Sequence, residues 1–295
     1  MGSVFYFLFS LVKAIFLCYN IKNEQQGADM KTPISQKKLF FLDMDGTIYL
    51  DKTVFPDTLP FLSAVKEKGA RYLFLTNNSS KSVKAYVEKL AGMGIAATED
   101  DFLTSTDATI VYLKAHYAEN PKMYVFGTAS FFEQLKGAGL NVTTSLSDDI
   151  KVLVMGFDTE LTFQKLEDAC ILLGRGVDYI ATNPDYVCPT WYGSVPDCGS
   201  IAGILKTATG REPRFIGKPH PEMLLLALEK AGLSADDALM IGDRVYTDIA
   251  SGVNAGVDTV LVLSGEGTVK DAEVSDKKPT YIMDGIGDVM REFLK

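Results

Sequence analysis

The chain has 295 residues, enough for one large domain or two modest ones, and 47% of them are hydrophobic against 23% charged, the balance of an ordinary globular protein. Its 29 basic and 38 acidic side chains leave a net charge of −9, which argues against general nucleic-acid binding, because that needs a basic surface to displace counterions. Four cysteines without C-x-x-C spacing (Cys18, Cys170, Cys188 and Cys198) and two distant histidines (His116 and His220) argue against a structural zinc site and read as reduced thiols and isolated imidazoles.

The N-terminus does not match the rest. Val4–Tyr19, VFYFLFSLVKAIFLCY, is apolar except for Ser10 and Lys13. As a helix it would span about 24 Å, short of the roughly 30 Å hydrocarbon core of a bilayer. No charge precedes Val4 and no A-x-A cleavage site follows, so it is a poor secretory signal. A polar linker fills 20–38. Two readings stay open: Met30 is the true start, leaving 266 residues, or residues 4–19 contact a membrane. The expected location is cytoplasmic in the first case and membrane-associated in the second.

From Lys38 onward, apolar runs alternate with amphipathic stretches. The pattern predicts a strand over 39–43 (LFFLD), a helix over 61–68, a strand over 71–76 (RYLFLT) and a helix over 82–93. In the middle block it predicts strands at 123–127, 151–157 and 178–182, with helices at 131–136, 163–174 and 200–209. Late in the chain come a helix over 222–231, a strand over 238–243 (ALMIGD), a helix over 245–255 and a strand over 259–263. A weaker strand at 279–283 and a helix near 289–294 close the chain. Short apolar runs alternating with helices argue for a parallel sheet covered on both faces. Periodicity alone leaves the middle block either as more of the same sheet or as a separate inserted α/β unit.

Four constellations carry chemistry, each at a strand end, where open α/β sheets bind ligands. Asp43-Met44-Asp45-Gly46-Thr47 follows the first strand; if the extended backbone continues through Met44, both carboxylates project to one side. Two close carboxylates need a cation or a shared proton, which suits one ionised nucleophile or metal ligand beside one proton carrier. Thr76-Asn77-Asn78-Ser79-Ser80 offers hydroxyls and amides to a phosphate, or caps the next helix. Gly217-Lys218-Pro219 holds a lysine that would neutralise a phosphoryl oxygen or pair with an acid, or is a plain surface lysine. Asp243 and Asp248 in GDRVYTD would coordinate Mg²⁺, a hard cation preferring oxygen ligands, or Asp248 serves only the helix dipole. A further loop, Thr182-Asn183-Pro184-Asp185, follows a middle-block strand; it would descend onto the core site and select the substrate, or is a surface turn.

The four motifs, in order, resemble those of the haloacid dehalogenase (HAD) superfamily of phosphatases. FFLDMDGTIYL, FLTNNSS, ATNPD, GKP and MIGDRVYTDIASG resemble its NagD-type, p-nitrophenylphosphatase-like branch, subfamily IIA. The likeness covers Lys38 to Lys295 and leaves out the first 37 residues. It implies an α/β fold with a Rossmann-like parallel-sheet core, 38–117 and 211–295, and a C2-type α/β cap inserted at 118–210. It implies Asp43 as nucleophile, Asp45 as acid and base, and Thr76, the Asn77 amide and Lys218 as phosphate-binding groups. Mg²⁺ would be held by Asp43, the Asp45 carbonyl and Asp243, with Asp248 in support. The implied reaction is hydrolysis of small phosphate monoesters, of the sugar phosphate, nucleoside monophosphate or p-nitrophenyl phosphate type, through an aspartyl phosphate. The implied partners are a small phosphorylated metabolite and a second copy through the cap. A dedicated 5′-nucleotidase and a phosphoglycolate phosphatase remain alternatives. So does a phosphoaspartate signalling switch, although Asp45, placed to activate water, favours turnover.

None of the implied site residues precedes Asp43. A chain beginning at Met30 is therefore expected to fold and keep full phosphatase activity, read by circular dichroism and phosphate release; loss of folding would place Val4–Tyr19 in the core.

Overall fold

A computed structural model describes residues 32–190 and 192–295; the Val4–Tyr19 segment and Cys18 lie outside the described residues. Six strands form one parallel sheet in the order Tyr281–Met283, Asp258–Val262, Ala238–Gly242, Leu39–Leu42, Arg71–Thr76, Phe102–Thr104. The Leu39–Leu42 strand is central and fully buried. Its side chains alternate between two cores, Phe40 and Leu42 in one, Leu39 and Phe41 in the other. Burying both faces explains why the strand reads as a continuous apolar run. Leu42 lies level with Ile241 on one side and Phe74 on the other. That register brings Asp43, Thr76 and Asp243 to one sheet edge.

The middle block forms a separate five-stranded parallel sheet, in the order Arg214–Phe215, Asp178–Ala181, Val152–Met155, Met123–Phe126, Val142–Thr143. It is an inserted α/β unit, and it takes in Arg214–Phe215, beyond residue 210. An antiparallel hairpin, Val187–Thr190 with Gly193–Pro196, projects from it. The helix Ser105–His116, which the sequence pattern did not predict, joins the two units: its Ala108 and Leu113 belong to a cluster with Leu39 and Phe41 of the first sheet and Met123, Val125, Val152 and Ile180 of the second. That helix carries polar Ser105, Thr106 and Thr109 on its buried side, which blurred its amphipathic pattern.

Elsewhere the expected elements differ from the structure mainly at their ends. The first helix begins at Thr58, before Pro60, because a proline in the first turn lacks only an N–H that has no helical partner. The predicted 245–255 helix is a π-turn over Val245–Ile249 continued by α-helix over Ala250–Asn254. Such widened turns concentrate at functional sites, and this one carries Asp248. Among the described residues, no helix is long and apolar enough to cross a membrane.

The start of the described chain is fastened by Lys37. Its side chain is fully buried and donates to Asp258 Oδ2 at 2.8 Å and to the Asp236 carbonyl at 2.9 Å. Removing one member of a buried pair strands the other charge, a loss of about 3–5 kcal/mol. Lys37→Met is expected to lower unfolding free energy by that order in urea denaturation, while Lys38→Met, whose Nζ pairs at an exposed surface, changes it by less than about 1 kcal/mol.

Candidate active site

Lys218 is the centre of the site. Its side chain is 3% exposed, and its ammonium has three acceptors: Asp43 Oδ1 at 2.7 Å, Asp248 Oδ1 at 2.6 Å and the Leu75 carbonyl at 3.4 Å. Three donors meet three acceptors, so the head group is satisfied without water. The Asn77 amide clamps the lysine backbone from both sides: Lys218 N–H donates to Asn77 Oδ1 at 2.9 Å, and Asn77 Nδ2 donates to the Lys218 carbonyl at 2.9 Å. Burial opposes the charge on Lys218, but Asp248 and Asp43 outweigh it and hold its pKa above the usual lysine range.

Asp43, Asp243 and Asp248 each offer a carboxylate oxygen, and these oxygens lie within 4.8 Å of one another. Asp43 is held well above the usual carboxylate range by burial and by Asp248, with Lys218 pulling the other way. Burial and then Asp248 push Asp243 up to about 6. Asp243 Oδ2 accepts the Glu266 N–H at 2.8 Å, whereas Oδ1 is buried without a hydrogen-bond partner. Three carboxylates against one ammonium, with a bare buried oxygen among them, fit a hard divalent cation with oxygen ligands. Close packing sets the cluster: a Cβ on Gly242 would strike Asp248, and one on Gly46, whose φ is +85°, would strike Asp243.

The other expected residues fall around this centre. Asp43, Asp45, Thr76, Asn77, Asp185, Lys218 and Asp248 line one cleft. Asp45 shares the cleft, but its carboxylate is outside the three-carboxylate cluster: the last bond to the neighbouring strand is from the Asp43 N–H to the Ile241 carbonyl, and the Asp45 side chain, 48% exposed, meets Tyr49 and Lys89. Thr76 Oγ1 accepts the Asn78 N–H, and Asn78 Oδ1 accepts from Ser80. The helix that follows is capped by Ser82, so the Thr76-Asn77 pair is not spent on capping.

Thr182, Asn183 and Asp185 descend from the second sheet onto the first, all buried. Asn77 Nδ2 donates to Asp185 Oδ2 at 2.7 Å, Asn183 Nδ2 donates to the same oxygen at 2.9 Å, and Thr182 Oγ1 lies 2.9 Å from Ser79 Oγ. Arg244 approaches Asp185 Oδ1 at 3.8 Å and donates to Glu266 Oε2 at 2.8 Å. Tyr49, Lys89, Arg244 and Glu266 were not singled out by sequence; Tyr49, inside FFLDMDGTIYL, and Arg244, inside GDRVYTD, had a signal near them, whereas Lys89 and Glu266 had none.

The comparisons with known proteins agree on one family. A model described as haloacid dehalogenase-like hydrolase matches residues 40–141, and one described as HAD-hydrolase-like matches 215–289; most of the second sheet lies between them. The acid sugar phosphatase of Staphylococcus aureus is 33% identical over 262 residues, 89% of this chain and all of that protein. The 4-nitrophenylphosphatase of Thermotoga maritima superposes with a TM-score of 0.82 at 38% identity, covering 88% of this chain and 98% of that one. A glycerol phosphate phosphatase from Mycobacterium tuberculosis, solved in complex with magnesium, superposes with a TM-score of 0.82 at 29% identity, over 90% of this chain and 79% of that one. The chain belongs to the haloacid dehalogenase-like hydrolase family. Within it, the chain sits on the branch that holds NagD and the p-nitrophenylphosphatases.

Asp197 gives the cleft a measurable pH dependence. It caps the Cys198–Thr209 helix and accepts from Asn183 Nδ2 at 3.1 Å, yet burial pushes it from 3.8 up to about 6. A carboxylate raised on folding contributes stability that is full below about pH 4 and is lost as pH rises through 6. The shift corresponds to about 3 kcal/mol. Asp197→Asn keeps a capping side chain and removes the charge. Because the loss runs from about pH 4 to about pH 6, the wild type is expected to lose about 1.4 kcal/mol relative to Asp197→Asn between pH 5 and 8, with the larger part of the remainder appearing between pH 4 and 5, in paired urea titrations.

Proposed function

We propose that the chain is a Mg²⁺-dependent phosphatase that hydrolyses small phosphate monoesters through an aspartyl phosphate on Asp43. The observation that carries the reading is Lys218, buried between Asp43 and Asp248 beside the unpartnered Asp243 oxygen. The lysine ammonium orients the Asp43 carboxylate at the sheet edge, and a cation beside it would favour the charged form that attacks phosphorus. The relatives named as acting on acid sugar, 4-nitrophenyl and glycerol phosphates support a small phosphorylated metabolite as substrate.

Asp43, the Asp45 carbonyl and Asp243, with Asp248 in support, would hold Mg²⁺, which when bound supplies positive charge to balance the carboxylates and the phosphoryl oxygens. In the first step an Asp43 oxygen bonds to phosphorus, the ester P–O bond breaks, and the proton on Asp45 passes to the leaving oxygen. In the second step water attacks phosphorus, Asp45 takes the water proton, and the Asp43–phosphorus link breaks to release inorganic phosphate. A covalent carboxylate divides one difficult displacement into two easier ones. Lys218 keeps Asp43 oriented through both, and Thr76 with the Asn77 amide holds phosphoryl oxygens. The second sheet, 118–210 with the 214–215 strand, acts as the cap: Thr182, Asn183 and Asp185 shape the cleft from above and limit water in it.

The two aspartates of the first motif fail differently. Asp43→Asn removes the nucleophile, so no adduct forms. Asp45→Asn removes a proton carrier whose contribution is about 10²–10⁴-fold. A p-nitrophenolate leaving group needs little protonation, whereas the second step always needs an activated water. With p-nitrophenyl phosphate and Mg²⁺, Asp45→Asn is expected to accumulate a phosphoryl group on Asp43, seen by intact-protein mass spectrometry after acid quench, and Asp43→Asn none. An adduct in Asp43→Asn, or on another residue, would move the nucleophile elsewhere.

A further inference from the structure

Asp45 differs from the other reacting groups. Lys218, Asp43, Asp243 and Asp248 lock one another in the sheet edge, but the Asp45 carboxylate is 48% exposed at the cleft and belongs to no such cluster. A half-exposed aspartate rotates freely unless something holds it. Two side chains do. Tyr49 Oη donates to Asp45 Oδ2 at 3.2 Å, and Lys89 Nζ donates to Tyr49 Oη at 2.9 Å. Lys89 Nζ also lies 3.7 Å from Asp45 Oδ1 and 4.2 Å above the Tyr49 ring centroid, inside cation–π range.

Both partners are fixed. The Tyr49 side chain is fully buried, and its backbone is tied to the Asp45 turn: Gly46 N–H donates to the Tyr49 carbonyl at 2.8 Å, and Ile48 N–H to the Met44 carbonyl at 3.0 Å. Lys89 stands on the Val83–Gly92 helix, anchored by buried Tyr86 and Leu90. The chemistry of the contacts also sets their direction. A lysine ammonium only donates, so it takes a lone pair of the tyrosine oxygen and leaves the single hydroxyl proton for Asp45. Burial, with Asp45 next, raises the Tyr49 pKa above the usual phenol range and keeps that proton on the oxygen. Oδ2 is thereby occupied by the phenol, whereas Oδ1 has the longer, 3.7 Å approach of Lys89.

We propose that Tyr49 and Lys89 are positioning residues for the acid–base step: they fix the Asp45 carboxylate so that Oδ1 gives its proton to the leaving oxygen and then takes one from water, an assignment that rests on the acid–base role proposed above for Asp45. Neither lines the cleft that holds Asp43. Their contribution is geometric, and a small misplacement of a reacting group is enough to slow a step severely.

Tyr49→Phe keeps the buried ring and Lys89→Met keeps the aliphatic stem, so both variants preserve packing. The measurement is kcat/KM on two esters, p-nitrophenyl phosphate and glycerol phosphate. An alkoxide needs the Asp45 proton as it leaves; p-nitrophenolate does not. For both variants kcat/KM on glycerol phosphate is expected to fall by about tenfold or more, part of the range general acids supply, against about threefold or less on p-nitrophenyl phosphate. With the latter ester the aspartyl phosphate is expected to build up, because water activation still needs Asp45, and Lys89→Arg, which keeps a donor, is expected to restore most of the loss. Equal losses on the two esters, or none, would overturn the assignment. Asp45→Asn separates the two levels. If it fails to discriminate between the esters, the acid–base reading itself is wrong and the positioning role falls with it. If it discriminates and Tyr49→Phe and Lys89→Met do not, only the positioning role is lost.

Discussion

Three carboxylates cannot share a buried pocket unless positive charge sits among them, and in this protein that charge is Lys218. Its ammonium bridges Asp43 and Asp248, residues from two different motifs, while Asp243 stands beside them with one oxygen bare. The lysine alone leaves the cluster short of positive charge. Burial first, and then the repulsion from Asp248 that this deficit leaves unbalanced, raise Asp43 and Asp243 out of the usual carboxylate range, and the deficit fits the cluster to a divalent cation. The closeness that creates the deficit comes from the backbone. Gly242 and Gly46 lack the Cβ that would hold the strands' ends apart, and the π-turn swings Asp248 inward against Gly242.

The same economy of contacts joins the two sheets. Asn77 spends its amide on the Lys218 backbone and on Asp185 at once, so the residue that aligns the lysine also receives the loop from above. Ser79 repeats the pattern, meeting Thr182 Oγ1 and the Phe157 N–H. Below these polar links, the Ser105–His116 helix contributes to a hydrophobic cluster shared by both sheets. The cleft is therefore bounded by groups already bonded to one another. Asn183 and Asp185 complete a network that reaches Asn77 and Arg244 through Asp185, so a change in either is expected to be felt by both.

Much of this was legible in the residues. The apolar runs at 39–43, 71–76 and 238–243 coincide with three adjacent strands because a strand buried on both faces has no room for polar side chains. The 163–174 and 222–231 helices match to the residue, each having an amphipathic pattern with a clear start. Where local pattern and packing disagree, the pattern misled. The Ser105–His116 helix buries hydroxyls instead of a clean apolar stripe, and the strand at Phe102–Thr104 is too short to register. The plain reading of Lys218 as a surface side chain failed for the same reason: nothing within five residues of it announces burial between acids that lie 175 and 30 positions away.

The sequence by itself determined the alternation of strands and helices, the order of the four motifs and the family they mark, because these depend on residue type at short spacing. Tertiary structure alone decided that the middle block is a second sheet, since two parallel sheets built from like strands have the same local periodicity. It alone decided that Thr76 and Asn77 leave capping to Ser82, that the Asp45 carboxylate turns away from the carboxylate cluster toward Tyr49 and Lys89, and that one oxygen of Asp243 is left bare. Each of these is a matter of which side chain reaches a given atom first. That competition is settled by distances of a few ångströms between residues tens or hundreds of positions apart, and no local pattern encodes it.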